Sequence, residues 1–174
     1  RYPVVSRWRQ DLYFTIASIQ DFQRIENGKM SFEYNANPLI VPQICLRFSD
    51  IENVGVTGRH FTSFMMAGQH AFNWPKEGYW RDKTIELNFN FLTGVLGVKK
   101  ENLVYHEDVW AMGDFSEFGP CLESFSNGNE LVNSVFTQFQ SFNGNVSELQ
   151  GKVVDVGWGF ERLLWFYTGH ENAY

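Results

Sequence analysis

The succession of extended segments is the feature that most constrains how this chain folds. Short stretches rich in β-branched and aromatic residues recur along it, and turn residues separate them. Only two stretches space their apolar residues at the three-to-four-residue steps that indicate a helix. Strands joined by short turns pair in antiparallel fashion, because a parallel pair needs a long crossover. The sequence therefore predicts an α+β fold, a mostly antiparallel β-sheet flanked by helices, and not a doubly wound one.

The predicted elements follow from these patterns. Helices are predicted over Trp80–Leu96, with Gly97 as its stop signal, and over Phe160–Tyr167. The polar segment Asp50–Gly58 reads as the loop of a hairpin between the second and third strands. The predicted strands are Leu12–Ile16, Ile44–Phe48, His60–Met66, Leu103–His106, Leu131–Phe139 and Lys152–Val156. Gly113–Pro120 is predicted as a loop and Asn143–Ser147 as a turn.

Composition narrows the class of protein. With 44% hydrophobic and 20% charged residues in 174, the chain has enough apolar surface for a core and is not disordered. A net charge of −6 excludes a broad nucleic-acid-binding surface by charge alone. Cys45 and Cys121 stand apart, so free thiols are expected rather than a disulfide or zinc site. The apolar runs are too short to span a membrane. Because the chain starts at Arg1 rather than Met and stops just after a helix-like segment, we expect a piece of a longer polypeptide.

The predicted hairpin carries residues suited to binding a nucleotide. Arg47 stands near the end of one strand, and Arg59 and Phe64 follow the loop. A guanidinium on a rigid strand is a fixed, charged fork that suits a phosphate or a carboxylate. An aromatic ring on the neighbouring strand offers a flat surface for a base. A surface ion pair beside a core phenylalanine would leave the same pattern, so the hairpin alone does not decide.

The last strand runs into the last helix through two glycines. Asp155 lies near the end of the strand, Gly157 and Gly159 follow, and Arg162 lies in the first turn of the helix. Glycine lets a backbone approach a ligand closely, and a carboxylate at a strand end can bind an ammonium group. An aspartate that caps the following helix is the simpler alternative at this junction.

The two segments together resemble the second and third signature motifs of class II aminoacyl-tRNA synthetases. The string Asp50–Thr62 is similar to the archaeal type of the alanyl-tRNA synthetases. Other similar strings are Arg1–Val5, Tyr13–Ile19, Ala36–Leu39, His70–Asn73, Gly119–Cys121 with Glu123, Asn133–Phe136 and Val154–Arg162. The resemblance spans essentially the whole chain. It implies that residues 1–174 form a class II adenylation core, truncated at both ends.

The resemblance assigns the nucleotide contacts residue by residue. Arg47 is implied to hold the α-phosphate of ATP and the amino-acid carboxylate as they react. Phe64 is implied to stack on adenine, and Arg162 to lie near the γ-phosphate and the other face of the purine. Arg47 and Arg162 are thus the expected catalytic residues, and Arg59 is a further expected ATP contact.

The resemblance also assigns an amino-acid pocket. Asp155 is implied to take the ammonium group of alanine. Trp110 and Asn133 are implied to line the small pocket, and Gly157 to keep its floor open. Glu123 is the expected contact for magnesium.

The implied activity is ATP- and Mg²⁺-dependent activation of L-alanine and its transfer to the 3′ end of tRNA(Ala). We expect a cytoplasmic protein with no membrane partner that grips tRNA mainly through regions outside this chain. A homodimer is possible, since class II enzymes often dimerise, but the family also has monomeric forms. Two other functions stay open: a paralogue that makes an aminoacyl-adenylate for another acceptor, and a non-catalytic amino-acid or nucleotide sensor. The presence of Arg47, Asp155 and Arg162 together argues against a sensor.

Overall fold

The structure, a computed structural model, describes residues 2–5, 9, 11–27, 29–113 and 115–174. Helix α1 spans Arg81–Asn90 and continues into a π-helical turn over Phe91–Val95. Helix α2 spans Phe160–Thr168. The strands are β1 (Gln23–Glu26), β2 (Lys29–Phe32), β3 (Leu39–Leu46), β4 (Ser63–Trp74), β5 (Leu103–Ala111), β6 (Phe118–Ser126), β7 (Asn129–Phe142) and β8 (Asn145–Gly159).

One six-stranded sheet organises the described part of the chain. Its strand order is β3-β4-β8-β7-β6-β5, every pair is antiparallel, and β1 and β2 form a separate hairpin. The predicted α+β class with an antiparallel sheet is therefore confirmed. Strand β8 lies between β4 and β7, so the strand that leads into α2 is a direct neighbour of the β3–β4 hairpin. This adjacency brings the two sequence motifs together.

Alternation along β8 separates the two faces of the sheet. Val154, Val156 and Trp158 pack in one buried cluster with Leu92, which follows α1, and Leu163 of α2. The residues between them on β8 point to the other face, as a period of two requires. That second face is closed at one end by another cluster, which includes Ile19, Cys45, Met66, Phe72 and Val153. The predicted site residues of β8 lie on this second face.

Most of the predicted elements are confirmed, although several have different bounds. The hairpin loop forms as predicted, with one short helical turn over Ile51–Asn53. Gly97 ends the first helical segment in the left-handed region, with φ +72°. Strands β7 and β8 extend well beyond their predicted ends, and only Asn143 and Gly144 remain between them, at φ 50° and 76°. Positive φ at both positions is what a two-residue hairpin turn requires.

One prediction of local structure was wrong, and another was right only in part. Leu12–Ile16 is not a strand: Thr15 donates a backbone hydrogen bond to Val4 and accepts one from Leu46, without a continuous ladder. The predicted loop Gly113–Pro120 is confirmed for its described residues before Phe118, but its last three residues belong to strand β6. Gly119 lies within this strand, and a glycine is needed there because a Cβ would lie 2.0 Å from the Phe136 carbonyl oxygen of β7.

The remaining expectations about the chain as a whole concern thiols and membranes. Cys45 and Cys121 are free and buried, as predicted. Within the described residues, none of the helices has both the length and the apolar character needed to cross a lipid bilayer.

Candidate active site

A cavity of about 210 Å³ lies where the β3–β4 hairpin, β7 and the β8–α2 junction meet. Seven of the nine predicted site residues line it, namely Arg47, Phe64, Trp110, Asn133, Asp155, Gly157 and Arg162. Arg59 and Glu123 do not. The motif that carries a guanidinium and the strand that carries a carboxylate therefore share one cavity.

Arg47 enters the cavity just after β3 ends. Its Nε donates to the carbonyl oxygen of Ile16 at 3.0 Å, and its guanidinium carbon lies 5.2 Å from the centroid of the Phe64 ring. The terminal nitrogens have no hydrogen-bond partner among the described residues. Surrounding protein desolvates the guanidinium and lowers the pKa of Arg47, although the side chain stays partly exposed at the cavity. A pre-oriented, partly desolvated fork with free N–H groups is suited to an anionic ligand.

Arg162 enters from the first turn of α2. Its Nη1 lies 3.0 Å from a carboxylate oxygen of Glu130, at the start of β7, and both side chains are about one-third exposed (37% and 31%). Glu130 also lines the cavity, although no local pattern in the sequence singles it out. A carboxylate in this position can compete with an anionic ligand for the arginine, or it can bind a divalent cation.

Asp155 is the buried acid of the cavity. Its residue surface is only 4% exposed, and burial raises its pKa to about 7, partly offset by the charge of Arg47. His70 lies directly opposite it on β4, with 3.3 Å between His70 Nδ1 and Asp155 Oδ1. A desolvated carboxylate that faces a cavity is suited to bind a cation that itself fits the cavity, such as an ammonium group.

Asn133 and Gly157 face each other across β7 and β8 at the floor of the cavity. The Asn133 Nδ2 donates to Glu123 at 3.4 Å, while its Oδ1 is buried with no hydrogen-bond partner among the described residues. A Cβ on Gly157 would lie 3.2 Å from Cε and 3.3 Å from Sδ of Met66. The thioether of Met66 therefore already occupies the space above this glycine, and any side chain there would press against it.

The two predicted residues outside the cavity have other neighbours. The guanidinium of Arg59 lies 5.5 Å from the ring centroid of Trp165, in a cation–π arrangement. Glu123 lies 3.0 Å from His106 Nδ1 and accepts the bond from Asn133. Ligand atoms of His106, Asp108 and Glu123 lie within 4.8 Å of one another, so Glu123 belongs to a group that could hold a cation beside the cavity.

Glu161 links the two motifs directly. Its Oε1 accepts a hydrogen bond from the backbone N–H of Met65 at 2.8 Å, which joins the start of α2 to strand β4. Glu161 also lines the cavity. The Glu-Arg pair of the last motif thus has two separate contacts: the glutamate holds the hairpin, and Arg162 faces the cavity.

Comparisons with known proteins show the family to which the chain belongs. The family model described as "tRNA synthetases class II (A)" matches residues 1–174. The alanine–tRNA ligase of Cenarchaeum symbiosum (strain A) is 56% identical over 174 residues, which is all of this chain and 19% of that protein. Those of Nitrosopumilus maritimus (strain SCM1) and Methanocella arvoryzae are 54% and 48% identical over all of this chain and 19% and 20% of their own lengths.

This chain thus spans about one-fifth of the length of the curated relatives it matches. Among solved structures, the pyrrolysyl tRNA synthetase PylSc of Desulfitobacterium hafniense matches with a TM-score of 0.47 and 16% identity, over 80% of this chain and 44% of that one.

Proposed function

We propose that this chain, which belongs to the family of class II (A) tRNA synthetases, is the adenylation core of an alanine–tRNA ligase. In this role it activates L-alanine with ATP, and the full-length protein transfers the alanyl group to the 3′ end of tRNA(Ala) in the cytoplasm. The observation that carries the proposal is the shared cavity of Arg47, Asp155 and Arg162, in a chain 56% identical to an alanine–tRNA ligase.

The proposed reaction needs no general base. The carboxylate of alanine is ionised at pH 7, attacks the α-phosphorus of ATP and displaces pyrophosphate, which gives alanyl-adenylate. Catalysis then consists of positioning and charge neutralisation. The free N–H groups of Arg47 would hold the reacting carboxylate and α-phosphate, because both are anionic acceptors.

Asp155 and Arg162 would fix the two ends of the reacting pair. Asp155 would bind the alanine ammonium group, and this group would place a positive charge beside the buried carboxylate. Arg162 would hold the outer phosphates and the purine, with Phe64 on the other face of the base. Arg59 is a further proposed ATP contact, which requires it to leave the Trp165 ring.

The residues at the cavity fit a magnesium ion. When bound, Mg²⁺ supplies positive charge to the phosphates of ATP. Glu130 is suited to hold it, because its carboxylate lines the cavity beside Arg162. Glu123 is a second candidate, in the cluster with His106 and Asp108.

A small pocket has limited power to select alanine. Trp110, Asn133 and Met66 line the cavity, and their proposed role is to exclude larger amino acids sterically. Glycine lacks a methyl group and serine adds a hydroxyl, and such differences give only about 10–200-fold discrimination. We therefore propose that editing resides in regions of the full-length protein outside this chain. The net charge of −6 agrees with tRNA binding mainly through other regions of the full-length protein.

Alanine-dependent exchange of pyrophosphate into ATP tests the proposal in the full-length protein. We expect exchange with the wild type, its loss in Arg47→Ala, and its retention in Arg81→Ala, an exposed arginine at the start of α1. Alanine binding without exchange would instead support a sensor. Exchange without transfer to tRNA(Ala) would support a paralogue that serves another acceptor.

A further inference from the structure

We propose that His70 and Ser18 are positioning residues that form a buried hydrogen-bonded chain behind Asp155 and keep its carboxylate ionised and directed into the cavity. This inference rests on the proposed function, in which Asp155 receives the ammonium group of alanine. Neither residue lines the cavity, so neither is proposed to touch the substrate.

The geometry runs from the cavity into the core. His70 Nδ1 lies 3.3 Å from Asp155 Oδ1, and His70 Nε2 lies 3.0 Å from the Ser18 hydroxyl. Both His70 and Ser18 are 0% exposed. The register of β4 against β8 places His70 directly opposite Asp155, so the contact is built into the sheet.

The neighbouring backbone leaves room for this chain of side chains. A Cβ on Gly68 would lie 2.0 Å from the Ser18 hydroxyl oxygen and 2.5 Å from His70 Nε2. Only glycine at position 68 accommodates both groups. The Ser18 hydroxyl and backbone nitrogen each lie 3.4 Å from Sδ of Met66, the side chain above Gly157, so Ser18 also contacts the residue that shapes the cavity floor.

The protonation states favour a donor aimed at Asp155. Burial lowers the pKa of His70 to about 3, so the ring is neutral and carries a single N–H. An imidazole nitrogen is a better acceptor than a thioether, so the Ser18 hydroxyl donates to Nε2 rather than to Met66. The ring proton is then on Nδ1, which faces Asp155. Nδ1 has no well-aligned partner among the described residues, although a backbone interaction with Val154 also acts on the ring. A small approach of the two side chains would complete the bond to Asp155.

Other titratable groups also lie near Asp155, on elements other than β4. Arg47 comes from the end of β3 and favours the ionised carboxylate. The pKa of Cys45 on β3 is raised to about 12 by burial, so this thiol stays neutral. The charge of Asp21 also raises the pKa of the Cys45 thiol. Burial raises the pKa of Asp21 itself to about 7, so it titrates in the same range as Asp155. An Asp21→Asn variant is therefore the matched control.

The test is the dissociation constant of alanine as a function of pH, measured by calorimetry on the full-length protein. Affinity of the wild type should rise with pH through about 7 and then level off, because only ionised Asp155 binds the ammonium group. In His70→Leu the midpoint should move to higher pH and the dissociation constant at pH 7 should rise about tenfold, since a hydrogen bond to a charged group is lost. Ser18→Ala should move the midpoint in the same direction by less.

Controls separate positioning from loss of structure. His70→Asn keeps an amide N–H at the same number of bonds from Cβ as Nδ1 and should restore most of the wild-type profile. Asp21→Asn should leave the midpoint unchanged, and ATP affinity should be unchanged in all variants. Unshifted midpoints in His70→Leu and Ser18→Ala would overturn the inference; if His70→Leu does not fold, Ser18→Ala decides. A wild type that binds no alanine would instead overturn the proposed function, and this inference with it.

Discussion

Replacing Asp155 with asparagine should make the protein more stable and its alanine binding weaker. The substitution preserves shape and removes only the charge. Burial raises the pKa of Asp155 from 3.8 to about 7, so the folded protein disfavours the ionised form. A shift of this size corresponds to a cost of up to about 4 kcal/mol when the carboxylate is ionised. Asparagine carries no such cost.

The pH dependence of this gain follows from the direction of the shift. An acid with a raised pKa costs stability progressively as pH rises from its unfolded pKa to its folded one, here from about 4 to about 7. His70, whose pKa is lowered to about 3, acts oppositely: its neutral form in the fold adds stability as pH rises toward 6.5. The two effects partly cancel in the wild type. The difference between variant and wild type isolates Asp155 and should grow between pH 4 and 7, then stay constant.

Loss of the charge should also weaken the binding of alanine, by an amount unrelated to the gain in stability. Removing one partner of a buried, hydrogen-bonded charge pair costs about 2–5 kcal/mol, or roughly 30- to several-thousand-fold in the dissociation constant of alanine. Urea unfolding at several pH values gives the stability difference, and calorimetry gives the affinity. Glu107→Gln, at an exposed acid on β5, is the control and should change neither quantity appreciably. A variant less stable than the wild type at pH 8, or one with unchanged alanine affinity, would refute the reasoning.

Three further substitutions test other parts of the site and the sheet. Glu130→Gln removes the carboxylate that is proposed to hold magnesium beside Arg162, so we expect weaker magnesium dependence and a higher KM for ATP in pyrophosphate exchange. An unchanged magnesium titration would contradict this role of Glu130. Gly157→Ala should lower kcat/KM for alanine tenfold or more and for glycine less, since the added methyl presses on Met66 at 3.2 Å, and exchange with both amino acids measures the ratio. Gly119→Ala should destabilise the protein by at least about 1–3 kcal/mol in urea unfolding, because its Cβ would lie 2.0 Å from a carbonyl oxygen of β7; an unchanged midpoint would show that the strands can separate there freely.

Four of the residues that line the cavity have a local signal in the sequence. Arg47 and Phe64 stand on either side of a loop whose polar composition already indicates a hairpin. Asp155 and Arg162 flank two glycines at a strand-to-helix junction, and the structure places α2 there at Phe160. Each of these signals lies within a few residues of sequence, so no knowledge of strand order is needed to read it.

Strand identity was less predictable where turn residues are used inside the sheet. Gly119 and Pro120 of β6 are typical of loops, yet both are paired with β5. The glycine is required because β7 approaches closely, which is a fact about a neighbouring strand and not about the local sequence. Pro42 also lies within a strand, but β3 is an edge strand, where a missing N–H is tolerated.

The residues that support the site share one physical reason for being missed. His70 meets Asp155 across strands that are 85 positions apart in sequence, and Glu130 meets Arg162 across 32. Such contacts depend on which strands are neighbours and on their register, and a slip of one residue would turn His70 to the opposite face. A residue such as Arg47 can thus be identified from the local sequence around it. A residue that acts on that residue can be identified only once the sheet is known, which is why the buried partner of the predicted ammonium ligand emerges from the register of β4 against β8.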